Sequence, residues 1–182
     1  MLHFLENKRS GLRPPGSQSS MESDSFMVAM PLAVLQACRE EQPDDDAALA
    51  RVVSLVNAHE LNALQFIIPA LFLLREIIRS GRTVAQCLNH ITSNSACPQQ
   101  FCDAASTASA SIQRPHSEVS DEIGSACANP ASLTCSIHAA LSLPVYSDAI
   151  RAIAFAGGCS CSRYALLCAF SNSRAYQLNA VL

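Results

Sequence analysis

The sequence predicts an all-α domain, and three observations carry that prediction. Apolar residues recur at three- and four-residue spacing along most of the chain, the period of a helix with one buried stripe. No stretch shows the apolar–polar alternation of a half-buried strand. Start and stop signals punctuate the periodic segments: Ser23, Asp44 and Thr83 stand before helices, and Gly81 after one. With 182 residues, 49% apolar and 15% charged, the chain is long enough to bury a core as one domain.

In residues 1–22 the basic side chains follow the few apolar ones, so the segment reads as a disordered leader rather than a signal peptide. A first helix is expected over 23–38. Ser23 caps it, Asp24 suits the positive end of the helix dipole, and Phe26, Met30, Val34 and Ala37 keep helical spacing. Pro31 is expected to bend or interrupt it, because proline has no amide N–H and its ring crowds the preceding turn. The turn "EEQPDDD" leads into a second helix through Leu49, Val52, Val53 and Val56.

The third helix, about 60–80, is apolar on more than one face through Leu61, Leu64, Ile67, Ile68, Leu71, Leu74 and Ile78. Such a helix belongs at the centre of a bundle. Asn62, Gln65, Pro69, Arg75 and Glu76 interrupt the run, whereas a membrane span carries about 20 mostly apolar residues. Gly81 ends the helix, and Thr83 caps a short one to His90. Composition then shifts to Ser, Ala, Gln, Asn and Pro, so 93–115 is expected as a long loop, with a weak helix between loops as the alternative. Order returns at 117–126. Asn129-Pro130 marks a turn, Leu133, Ile137 and Leu141 form one helical stripe, and Ile150, Ile153 and Ala154 another. The helical domain is thus expected over 23–170, with a divergent tail at 171–182.

Composition also excludes function classes. A net charge of −3 and a pI near 5.9 give no general pull toward nucleic acid or an anionic membrane, and no basic face with interleaved aromatics appears. Nine cysteines, with neither CxxC repeats nor zinc-finger spacing, argue against a disulfide framework. They are expected as small buried hydrophobes in a reducing, cytoplasmic setting. The serines at 106, 109 and 111 lack the glycine frame of a nucleophile elbow, and no glycine-rich phosphate loop is present. Asp44, Asp45 and Asp46 are expected as a solvated helix start rather than a metal cluster.

The segment "YSDAIRAIAFAGGCSCSR" resembles the last conserved stretch of the ADP-ribosylglycohydrolase family, where a helix ends in Gly-Gly and an Asp-x-Asp-Thr motif opens the next. Its Gly-Gly-Cys-x-Cys-Ser-Arg form is similar to the J-crystallin-like subgroup. Upstream, "EIGSACANPASLTCSIHAAL" resembles the family's Gly-x-x-Cys-x-x-Pro-x-Ser segment, and "NAHELNALQFIIPALFLLREIIRSGRTVAQCL" its long helix. "GSQSSMESDSFMVAMPLAVLQA" is similar to the subgroup's mid-chain segment. Their order, over roughly 16–168, carries the resemblance. It implies an orthogonal multi-helix bundle around a metal-containing cleft, ADP-ribose or an ADP-ribosylated group as substrate, and Mg²⁺ as the family's cofactor. The family's first half, with its early carboxylate cluster, has no counterpart before Gly16. The ADP-ribosylglycohydrolase-like fold is therefore expected to be incomplete, with exposed apolar helix faces that favour an oligomer.

By this resemblance Cys159 and Cys161 stand where two metal-binding Asp residues would be, Ser162 matches the Thr, and Gly157 and Gly158 form the adjoining turn of a substrate site. Mg²⁺ takes hard oxygen donors at about 2.1 Å. A thiol is longer, softer and mostly neutral near pH 7, so the metal site is degenerate and Mg²⁺ is not expected here. Asn57, His59 and Asn62 correspond to a polar segment before the family's long helix. Two readings stand for them: substrate binding, or a capping turn with His59 partly exposed. Cys159 and Cys161 are expected to pack as small residues; the alternative is a reactive thiol helped by Arg163, or a soft-metal clasp completed by His138. His138 itself reads as a satisfied core histidine, and His116 as a loop residue. The expected function is an ADP-ribosylglycohydrolase-family protein that is catalytically impaired or structural, with no catalytic residue assigned. An active ADP-ribosyl hydrolase completed by a missing N-terminal half, and a thiol-based metal or redox protein, remain as alternatives.

Overall fold

The computed structural model describes residues 2–171. Among them the chain is helical, with no strand and only two isolated bridges. The helices are α1 (Leu2–Arg9), α2 (Asp24–Ala37), α3 (Asp45–Val56), α4 (Glu60–Asn62), α5 (Ile68–Ser80), α6 (Val84–Thr92), α7 (Gln99–Ala110), α8 (His116–Ile123), α9 (Ala131–Ser142), α10 (Tyr146–Phe155) and α11 (Ser160–Ser171). A π-helical turn, Ala63–Ile67, joins α4 to α5.

That π turn has a local cause in Pro69, which lies in the first turn of α5. Proline cannot donate to the turn before it, and its ring crowds the carbonyl four residues back. The wider i→i+5 turn relieves that crowding without ending the helix. The span Glu60–Ser80 is thereby long and apolar enough to cross a membrane by length and composition, but 56% of its most apolar window is buried inside the fold.

Helix α5 forms the centre through Ala70, Leu71, Leu73, Leu74 and Ile77. Helix α2 lays Phe26, Ala29 and Ala33 against it, α3 adds Leu49 and Val53, and α11 brings Leu166 and Phe170. The small residues at 29 and 33 let the helices approach closely, while Phe26 and Phe170 meet edge to face with ring centroids 6.1 Å apart. Each such buried side chain contributes about 1.5–3 kcal/mol through removal from water. A second cluster of Ala139, Ala149, Ile153 and Leu167 ties α9, α10 and α11 together. Val28, Leu35 and Phe155 remain exposed.

Several expectations need correction. The leader 1–22 is not featureless: α1 forms, Asn7 Nδ2 donates to the carbonyls of Pro15 (3.1 Å) and Gly16 (3.0 Å), and Ser17 bridges to Asn57. Within 93–115 the long-loop expectation gives way to its alternative, a helix between loops: the 12-residue α7, whose Phe101, Ala104, Ala105 and Ala108 form a buried stripe of mostly small side chains. Pro31 does not interrupt α2. His116 is the first residue of α8 and is buried. Of the expected tail, Ser171 ends α11 and 172–182 lie outside the described residues. Gly81 and Thr83 behave as expected: Gly81 caps α5 with φ 68°, and Thr83 forms a reciprocal capping box with Gln86.

Candidate functional site

The residues singled out in the sequence meet at one junction of four segments, 20–24, 57–62, 125–130 and 157–163. An amide network forms its floor. Ser23 Oγ donates to Asn129 Oδ1 at 2.9 Å, and Asn129 Nδ2 donates to Asn62 Oδ1 at 2.9 Å. Asn62 Nδ2 then donates to the carbonyls of Glu22 (2.9 Å) and Ser20 (3.3 Å). Asn57 Nδ2 reaches the same two carbonyls, and Asn57 Oδ1 accepts from His59 N at 3.0 Å. Asn57, Asn62 and Asn129 are all buried. An extended segment has no helix of its own to satisfy its carbonyls, and here buried side-chain amides do so. His59 is half-buried and caps α4 by accepting from Asn62 N at 3.4 Å. His59 thus forms a capping turn at the start of α4, with Asn57 Oδ1 accepting from its amide. The α2 start is affected too: Ser23 occupies the cap position, but its hydroxyl serves Asn129 instead.

The glycine turn sits above this floor. Gly157 and Gly158 have φ of 71° and 69°, the left-handed region that suits a residue without a Cβ. Gly158 is the more constrained, because an added Cβ would lie 2.2 Å from Ser125 O. Cys159 N donates to that same carbonyl at 3.1 Å. Behind the turn Arg163 is fully buried. Its Nε donates to Cys159 O at 3.2 Å, Nη2 to Gly157 O, and Nη1 to Ser120 Oγ at 3.4 Å. Charge-assisted bonds to main-chain carbonyls latch the turn onto α11. Arg163 therefore addresses the backbone of Cys159. Ser162 Oγ donates to Asp24 Oδ1 at 2.8 Å, joining α11 to the first turn of α2. Cys159 and Cys161, expected to pack beneath a cleft, are both exposed.

A buried histidine pair flanks Arg163 and was not expected. His138 Nε2 lies 3.0 Å from Ser111 O, and a carbonyl can only accept, so Nε2 carries the proton. In neutral His138 the other nitrogen, Nδ1, must then accept, and His116 Nδ1 donates to it at 3.0 Å. Nε2 of His116 is left as a buried lone pair without a partner. The rings are stacked with centroids 5.2 Å apart. Burial, the His138 ring and the Arg163 charge push His116 down to about 4. Burial also lowers His138, against the Ser111 bond, with Arg114 adding to the fall. Both His138 nitrogens are engaged, so it does not complete a clasp with Cys159 and Cys161. The sequence signal for the pair was weak, because His116 precedes any apolar periodicity and lies 22 positions from its partner.

Other candidates resolve into structural contacts. Asp45 is buried rather than solvated. Burial would raise its pKa, but the Gln42 amide and the Arg39 guanidinium outweigh that and hold it below the usual carboxylate range. Asp46 pairs with Arg75 at 2.6 Å. A cavity of about 590 Å³ lined by Leu64, Ile68, Phe72, Arg75 and His90 contains none of the expected site residues. Among the described residues no group of three His, Cys, Asp or Glu side chains is placed to hold a metal ion. Compared with known proteins, the chain matches no family model, no curated protein and no solved structure.

Proposed function

We propose that this chain is a catalytically silent, structural relative of the ADP-ribosylglycohydrolases, the family its ordered motifs resemble. One observation carries the reading. Three polar side chains at positions corresponding to the family's cleft are engaged in internal bonds: Asn57 and Asn62 hold the carbonyls of Ser20 and Glu22, and Ser162 is tied to Asp24. A residue that binds a nucleotide or a metal needs its polar atoms free in the unliganded protein, or must break such bonds on binding. Breaking a buried bond leaves an unsatisfied group at a cost of about 1–3 kcal/mol. Cys159 and Cys161 at the positions where the family has hard carboxylates work in the same direction, because Mg²⁺ prefers hard oxygen donors to soft sulfur.

The test is calorimetric titration of the full chain with ADP-ribose, with and without Mg²⁺. The expected result is no binding that Mg²⁺ strengthens. Micromolar binding that tightens with Mg²⁺ and weakens with chelator would overturn the proposal and establish a working cleft.

A further inference from the structure

We propose that the cavity beside α5 is a binding site for a small, uncharged, largely apolar molecule that presents one carbonyl oxygen to Arg75 Nε. The inference is independent of the family reading, because the cavity shares no residue with the junction that holds Asn57, Asn62 and Cys159. Its volume of about 590 Å³ falls within the range of small-molecule sites. One wall is α5 and the π turn before it, through Leu64, Ile68 and Phe72. The facing wall is Ile91 near the end of α6, with Cys97 and Pro98 from the α6–α7 connection. Leu64 is exposed and Phe72 half-buried, so a solute can reach this apolar lining.

Arg75 supplies the polar contact. It is 6% exposed, and its Cζ lies 5.2 Å from the centre of the Phe72 ring. Nη1 donates to Asp46 Oδ1 at 2.6 Å and Nη2 to Glu41 Oε1 at 3.2 Å. Nε is buried and meets no acceptor among the described residues. A buried donor without an acceptor is costly, and a ligand oxygen that reaches it removes that cost. The engaged fork decides the class of ligand. A carboxylate or phosphate takes paired guanidinium donors, and here Asp46 and Glu41 already hold the two Nη atoms. Neighbouring charges are matched as well: Arg79 pairs with Glu41, and Glu76 with Arg82. An added anion would come beside three carboxylates already matched with arginines. An uncharged carbonyl needs one donor and brings no hydrogen of its own to satisfy.

The experiment titrates the full chain with propiophenone and, at equal concentration, with propylbenzene, in which a methylene replaces the carbonyl. Phenylacetate is the anionic comparison. NMR follows the methyl groups of Leu64, Ile68 and Ile91 and the Arg75 Nε–H resonance. The expected result is saturable binding of propiophenone at about 1 mM or tighter, with shifts at those methyl groups and at Nε–H. Propylbenzene should bind roughly tenfold more weakly and leave Nε–H in place. Phenylacetate should also bind more weakly than the ketone. Leu64→Trp, which fills the cavity from its exposed rim, should abolish binding of both neutral probes. Arg75→Lys keeps the charge but lacks Nε–H, and should bind the two alike; if that variant does not fold, the Nε–H shift in the wild type decides. Equal affinity of the wild type for ketone and hydrocarbon, or tighter binding of phenylacetate, would overturn the proposal. So would an unmoved Nε–H signal, no saturation by the ketone, or binding that survives Leu64→Trp. The ADP-ribose titration bears on none of these outcomes.

Discussion

Acidification from pH 7.5 to 5 should destabilise this protein through the buried imidazole of His116, and the size of the loss follows from its surroundings. The ring is 5% exposed, donates Nδ1–H to His138 and faces Arg163 on α11 with an unpartnered Nε2. A second proton would bring a charge out of water beside a guanidinium. In the unfolded chain the ring titrates near its ordinary value of about 6.5, and in the folded protein it is held down to about 4. Between those values the unfolded state binds more protons, so stability is intact above about 6.5 and falls as the pH drops toward 4. The linkage gives a loss of about 2 kcal/mol between pH 7.5 and 5, rising to about 3 kcal/mol below pH 4.

The assay is urea unfolding at several pH values for the wild type and for His116→Asn, which keeps a donor near the Nδ1 position but cannot titrate. With a slope of about 2 kcal/mol per molar urea, the wild-type midpoint should fall by about 1 M over this range. Burial also holds His138 below the ordinary imidazole range, and the contribution of Asp45, itself held below the usual carboxylate range, is lost only at lower pH. The informative quantity is therefore the difference between the two proteins. The variant should lose about 2 kcal/mol less than the wild type. Parallel pH profiles would refute the assignment of the unpaired, buried imidazole to His116.

The junction itself yields two further expectations. Asn62→Ala removes the acceptor of Asn129 Nδ2 and the donor to Glu22 O, and should destabilise the fold by about 3 kcal/mol in the same urea assay. It should also speed hydrogen exchange around Ser20–Ser23 ahead of global unfolding. Gly158→Ala should cost more than Gly157→Ala although both have positive φ, because only Gly158 has Ser125 O in the path of a Cβ. About 1–2 kcal/mol is expected at Gly157 and a clearly larger loss at Gly158, read from thermal midpoints; equal losses would contradict the close approach.

How much was legible in the chain depends on the range of the interaction. Apolar spacing and capping chemistry are local, so the all-α class, the central place of the helix leading to Ser80, the Gly81 stop and the Thr83–Gln86 cap follow from neighbouring residues. Alanine-rich α7 was harder to read, because its buried stripe at 101, 104, 105 and 108 carries little hydrophobic contrast. The roles of the polar residues are a different matter. Asn57 and Asn62 acquire theirs from the carbonyls of Ser20 and Glu22, Ser162 from Asp24, and Ser23 from Asn129. These partners lie between 35 and 138 positions away.

The same holds for charge and reactivity. Nothing beside Arg163 in the sequence says that it is buried and latched to the carbonyls of Gly157 and Cys159, or that its charge helps to keep His116 neutral. The Cys159–Ser162 stretch announced itself as unusual, but its setting comes from Ser125, whose carbonyl accepts from Cys159 N, and from Asp24, which accepts from Ser162 Oγ. The sequence alone determined which segments are helices and which faces must leave water, because propensity, periodicity and capping act within a few residues. Only the tertiary structure decided which polar side chains are satisfied, which titrate and which meet, because desolvation and hydrogen bonding depend on partners that the fold brings from far along the chain.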